Sequence, residues 1–212
     1  MIKSDSLTST SIYAYYFASG FASFFPELSN APDAILNNML NAGNVTTYGN
    51  VSLPKASISC EPLLCSVFDL NNTSPTYPKL MVLANQVYLA HEAKYNETGE
   101  YVAFSEGNSP LGFIWEWVVL PNGYTWKITS GGSSSYLEIN PIIYNKVAFS
   151  FLALYNTTYA RNMVVYLEQS LPDPKFGYWE GADNSKKLVS SVGSNTNGLI
   201  LSAARYAIQN NP

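Results

Sequence analysis

The stretch Glu61-Pro62-Leu63-Leu64-Cys65-Ser66-Val67-Phe68-Asp69-Leu70 is apolar on almost every side of a helix, and the segment 77–95 that follows is apolar on one side only. Pro62 suits a first helical turn, where its missing N–H leaves no bond unmade. In the second segment Leu80, Leu83, Ala84, Val87, Tyr88 and His91 recur at helical spacing. A helix apolar all round must be enclosed, whereas a one-sided helix meets solvent. The two therefore read as an inner helix and its outer partner.

The alternation extends both ways. Upstream, residues 6–25 are apolar almost all round and read as inner. Residues 32–42 carry Ile35, Leu36, Met39 and Leu40 against Asn37, Asn38 and Asn41, and read as outer. Downstream, Asn140-Pro141 introduces a third apolar helix at 142–154, with 159–171 as its amphipathic partner. Asn197-Gly198 precedes a last buried helix at 199–209. Between these halves, residues 101–105 and 113–119 alternate as strands. Pro121-Asn122-Gly123 then marks a turn into 124–129, and 131–135 reads as a flexible linker. The expected fold is mainly α: one domain over residues 1–212, built of antiparallel helix pairs in a partial α/α toroid, with one β-hairpin insertion at about 100–130.

Composition narrows the partners. Charged residues make up 12% of the chain, about half the usual share, and the net charge is −4 with no Lys/Arg cluster. Nucleic acid and anionic membrane surfaces therefore lack an electrostatic footprint. No apolar run reaches the roughly 18–20 residues that span a bilayer, so no membrane insertion is expected. The start Met1-Ile2-Lys3 does not lead into the charged-then-apolar order of a signal peptide. N-x-Ser/Thr acceptors nevertheless stand at Asn44, Asn50, Asn71, Asn72, Asn96 and Asn156, in stretches read as loops or turns, which points to an extracellular or cell-surface glycoprotein. Cys60 and Cys65 are too few for a zinc site and too far apart for a C-x-x-C motif. Two thiols on one helix fit better than a disulfide, because i,i+5 positions diverge by about 140°. With no metal-ligand spacing and no nucleotide motif, no metal and no cofactor are expected.

Phe176-Gly177-Tyr178-Trp179-Glu180-Gly181, followed by Ser194-Asn195-Thr196-Asn197-Gly198-Leu199-Ile200-Leu201, resembles the end of (α/α)6-toroid proteins related to glycoside hydrolases. Ser4-Asp5-Ser6 before the first inner helix, and 101–107 before Trp115-Glu116-Trp117, are similar in a looser way. These segments touch about a quarter of the chain, and about seven helices stand where a full ring has twelve, so self-association or a second chain completing the toroid is implied. The resemblance places a catalytic groove where inner helices begin. That makes Asp5, Glu61 and Glu138 candidate catalytic acids, joined by Glu180 and Asp183 in the final loop. Glycoside hydrolysis needs one protonated and one ionised carboxyl facing each other. The same acids also serve as helix caps. Glu106, in Ser105-Glu106-Gly107, resembles the Ser-Glu-Gly around a proton donor in some toroid enzymes, although there it opens a helix and here it ends a strand, where a turn role fits as well.

Trp115, Trp117 and Trp179 offer apolar faces with a polar edge, suited to sugar rings as to a core. Glu116 alternates onto the face opposite Trp115 and Trp117, toward the interior or toward solvent. Asn195 and Asn197 suit sugar hydroxyls or the cap of the last helix. The single histidine, His91, falls on an outer helix and leaves triad chemistry no other base. Two functions remain: an extracellular glycoside hydrolase-like domain acting on or binding polysaccharide, or a non-catalytic glycosylated cell-surface structural or carbohydrate-binding protein.

Overall fold

The computed structural model describes residues 8–70, 74–131, 135–168 and 175–210. Seven α-helices lie among them: α1 Ile12–Ala22, α2 Ala31–Leu40, α3 Cys60–Asp69, α4 Tyr77–Thr98, α5 Asn145–Tyr155, α6 Thr158–Leu167 and α7 Ser194–Asn210. Local chemistry sets several of their ends. Pro32 and Pro78 occupy first turns of α2 and α4. Gly99, at φ 73°, ends α4 in the left-handed region that favours glycine. The Thr157 hydroxyl caps α6 by accepting from Ala160 N–H at 3.2 Å.

The helices pair α1 with α2, α3 with α4 and α5 with α6, while α3 also packs on α1, α5 and α7, and α7 packs on α5. Cys60, Leu63, Leu64, Val67 and Phe68 are all buried, so α3 is enclosed. In α4 the buried residues Leu80, Leu83, Ala84, Val87, Tyr88 and His91 form one side. The helix α1 is different from the inner helix expected over 6–25. Only Ile12 and Tyr15 are buried in it, and Phe17 and Phe21 are more than half exposed, although the helix packs on α2 and α3.

The expected mainly α class with one β-hairpin is corrected by three small antiparallel sheets. Helix is 51% and strand 19%, so the protein is mixed α/β rather than a partial toroid with a single insertion. Strands β1 Asn44–Thr46 and β2 Ser52–Pro54 form the first sheet. β3 Glu106–Ser109, β4 Gly112–Val119 and β5 Thr125–Ser130 form a meander. β6 Ile143–Tyr144, β7 Gly181–Ala182 and β8 Leu188–Val189 form the third. Residues 101–105, expected as a strand, lie outside the meander; they reach other segments through the Ala103–Ile143 bridge and through single backbone bonds, Cys60 N–H to Phe104 O at 3.0 Å and Glu116 N–H to Ser105 O at 2.7 Å among them. The helix expected from Ile142 begins at Asn145, because Ile143 and Tyr144 pair with Ala182 and Gly181 instead. Within the linker expected at 131–135, residues 132–134 lie outside the described residues, as do 169–171 at the end of the expected sixth helix.

Gly181 fixes the seam of the third sheet. A Cβ there would press against the carbonyl of Ile143 and the Cα of Tyr144, both backbone atoms that cannot swing away. Gly181→Ala should therefore unzip β6 from β7 and cost about 2 kcal/mol or more, read as a lowered urea midpoint. An unchanged midpoint would show that the seam yields freely.

His91, read from sequence as packing or surface, is fully buried. Its Nδ1 donates to Val87 O at 2.8 Å and its Nε2 accepts from Phe104 N–H at 3.2 Å, an arrangement that requires the neutral ring. Burial pulls its pKa down to about 4. The unfolded chain binds this proton from about pH 6.5 downward, and the folded chain only near 4, so stability from this group is complete above 6.5 and is lost as pH falls through that window. Relative to His91→Gln, the wild type should lose about 3 kcal/mol between pH 6.5 and 4, measured by denaturant unfolding at several pH values. Parallel curves for the two proteins would refute the assignment.

Candidate active site

The N-terminal ends of α1, α3, α5 and α7 bring Tyr13, Glu61, Lys146 and Asn195 together, and the start of β3 adds Glu106. Lys146 is the hub. It is 1% exposed, and its ammonium donates to Glu61 Oε2 and to the backbone carbonyl of Glu106, the latter at 2.5 Å. The Tyr144 ring lies beneath it, 5.0 Å from centroid to Nζ. Asn195 Nδ2 donates to the other oxygen of Glu61 at 3.0 Å, so both carboxylate oxygens are held. The Tyr13 hydroxyl donates to Glu106 Oε2. Trp115 stands directly opposite Glu106 in the β3–β4 register.

These groups open onto a cleft of about 440 Å³. Glu61 and Glu106 lie on it, with Tyr13, Tyr16 and Phe17 along the α1 side and Ser194, Asn195 and Gly198 along the α7 side. Their environments differ. Burial pushes the Glu106 carboxyl above its ordinary range; the hydrogen bond from Tyr13 works against the shift and the nearby Glu61 charge adds to it. Glu61 instead forms an ion pair with a lysine that has almost no solvent access.

Two further acids sit beside the hub. Glu180 is 3% exposed, and burial raises its pKa against the opposing pull of Lys146 and a 2.5 Å hydrogen bond from the Thr196 hydroxyl. Glu116 is fully buried and accepts from Ile142 N–H at 2.8 Å, while its Oε2 lacks a hydrogen-bond partner; burial holds it well above the carboxylate range. The alternation of β4 thus turns Glu116 inward, as one of the two placements left open by the sequence.

The remaining candidates are dispersed. Glu138 is exposed in the loop before β6, because the helix it was expected to precede starts only at Asn145. It lines a larger cavity of about 670 Å³ with Asp183. That cavity is the roomier one, but the buried titratable groups converge on the smaller cleft, which is the chemically equipped site. Burial acts to raise the Asp183 pKa, yet hydrogen bonds from Ser185 and the Lys187 N–H outweigh it and hold the carboxyl low, in a turn. Asp5 lies outside the described residues. Trp117 packs edge-on against Tyr13 at 5.9 Å and donates to Thr129, so it braces the site from behind. Trp179 is half-buried, and its carbonyl accepts from Asn145 Nδ2 at 2.9 Å. Asn197 clamps the loop before α7 through Tyr178 and Gly193, a structural use of its amide.

Lys146 and Tyr13 are the residues of this cluster that sequence reading does not single out. The available signal was that Lys146 is the one charge in the apolar stretch 142–154, where an ion needs a partner. Among the described residues no three His, Cys, Asp or Glu side chains gather as metal ligands. Cys60 and Cys65 are free thiols, and burial pushes both upward, Cys65 to about 12, which removes them as nucleophiles. Among the described residues no helix is long and apolar enough to cross a membrane.

Comparison with known proteins places this arrangement in a family. Residues 13–210 match the family described as "Protein of unknown function (DUF3131)", and the chain belongs to it. The matched span begins at Tyr13 and takes in Glu61, Glu106, Lys146 and Asn195. No curated protein and no solved structure matches the chain.

Proposed function

We propose that this domain hydrolyses glycosidic bonds in an extracellular polysaccharide, with Glu106 as proton donor and Glu61 as the base that activates water. The observation that carries this reading is the split pair: two glutamates from separate elements open onto one cleft, one shifted by burial toward its protonated form and one paired with an ammonium. Carboxyls whose environments drive their protonation apart are the ordinary means of assigning acid and base. Glu106 gives its proton to the glycosidic oxygen as the bond from the anomeric carbon to that oxygen breaks. Water adds its oxygen to the anomeric carbon and passes a proton to Glu61. Tyr13 orients Glu106, while Lys146 and Asn195 orient Glu61. The likeness of the C-terminal stretch to toroid glycoside hydrolases supports the same reading by analogy only. The test is reducing-end release from polysaccharides by the wild type, Glu61→Gln and Glu106→Gln.

Asn44, Asn50, Asn96 and Asn156 are exposed, and Asn71 and Asn72 lie outside the described residues. The positions are not all loops: Asn44 stands on β1 and Asn96 in the last turn of α4. Exposed acceptors support an extracellular glycoprotein. A second reading, a glycan-binding or self-associating surface protein without turnover, is favoured by Phe17, Phe21, Phe24 and Phe25, which are 59%, 55%, 81% and 46% exposed. It predicts glycan retention or oligomers with no product released.

A further inference from the structure

We infer that the cleft selects an uncharged polysaccharide and discriminates against polyuronates; this deepens the hydrolase reading and rests on it. Every charge along the cleft already has a partner. Glu61 is tied to Lys146, and Asp69, at the end of α3, meets Arg205 at 3.6 Å. Lys146 is shielded behind Glu61 and the Glu106 carbonyl, and no other lysine or arginine lines the cleft among the described residues. A carboxylated sugar would therefore approach Glu61 and Asp69 without any free cation to receive it, and would give up water for like-charge contacts.

The walls suit neutral rings instead. Tyr13, Tyr16 and Phe17 supply apolar faces, and the start of α7 opposes them with the uncharged hydroxyl and amide of Ser194 and Asn195. That combination of aromatic face and amide edge binds sugar hydroxyls without calling on charge. Burial also shifts Glu106 toward its protonated form, which offers the substrate a donor rather than a cation.

The experiment measures reducing-end release by the whole chain from neutral polymers (mixed-linkage β-glucan, starch, mannan) and from polygalacturonate and alginate, with Glu106→Gln as control. The expected result is cleavage of a neutral polymer at least about tenfold faster than any polyuronate, as one unfavourable charge contact of about 1.4 kcal/mol would give. Asp69→Asn, which releases Arg205, should shift the ratio of rates several-fold toward the polyuronates. Preferred cleavage of a polyuronate that disappears in Glu106→Gln would overturn this inference and leave the hydrolase reading standing. Release that persists undiminished in both Glu61→Gln and Glu106→Gln would remove the hydrolase reading and this inference with it.

Discussion

Glu106→Gln is expected to lower kcat/KM on a cleaved polysaccharide by about 10³-fold while leaving the fold intact. The magnitude follows from losing general-acid assistance, which contributes about 10²–10⁴-fold. Glutamine preserves the acceptor for the Tyr13 hydroxyl but has no proton to give the leaving oxygen. Because burial shifts the carboxyl it replaces toward the uncharged form, a glutamine of the same shape suits the same surroundings, and the unfolding midpoint should hold. A substrate whose leaving group needs no proton, such as an aryl glycoside with an acidic phenol, should recover much of the loss in Glu106→Gln and none in Glu61→Gln. That split separates donor from base. Equal losses on both substrates would assign Glu106 a structural role only.

The second large effect is on stability. Lys146→Met should destabilise the domain by about 3–5 kcal/mol at neutral pH, the range for breaking a buried ion pair from one side. For a chain of this size that lowers Tm by roughly 10 °C. The cause is local. Methionine fills the volume but leaves Glu61 buried without its ammonium, and the carbonyl of Glu106 without its donor. Glu106 and Glu180, which Lys146 also stabilises as carboxylates, are pushed further toward the neutral form. Carboxyls whose folded pKa lies above the unfolded value add stability at low pH and lose it as pH rises through the folded value. The penalty of Lys146→Met should accordingly shrink from pH 8 toward pH 5. A penalty independent of pH would mean the lysine acts through packing alone.

Much of the helical scaffold is legible in the sequence because its cause is local periodicity. Leu63, Leu64, Val67 and Phe68 crowd every side of one short helix, and burial of that helix follows. The strand pairs were not legible in the same way. Ser52–Pro54, Ile143–Tyr144 and Gly181–Ala182 are two or three residues long, too short for alternation to register, and their partners lie about ten to forty positions away. Missing them moved the start of α5 from Asn145 to Ile142 and put Glu138 at a helix end it does not occupy. The same limit governs the site. Glu61 was marked by its place at a helix start, and Glu106 by the Ser-Glu-Gly stretch, but nothing local ties either to Lys146, which is 85 positions from one and 40 from the other. The aromatic run of α1 misled in the opposite direction. Its phenylalanines fit an enclosed helix by composition, but only Ile12 and Tyr15 of α1 are buried and Phe17 and Phe21 face solvent, which composition does not distinguish.

The central claim is that Glu106 and Glu61 act across one bound glycosidic linkage. Its most direct test is a crystal structure of Glu106→Gln soaked with an oligosaccharide of the polymer the wild type cleaves. The expected result is the glycosidic oxygen within hydrogen-bond reach of residue 106, a water between Glu61 and the anomeric carbon, and sugar rings stacked along Tyr13, Tyr16 and Phe17. An oligosaccharide seated instead in the cavity of Glu138 and Asp183, with the Glu61–Glu106 cleft untouched, would contradict it.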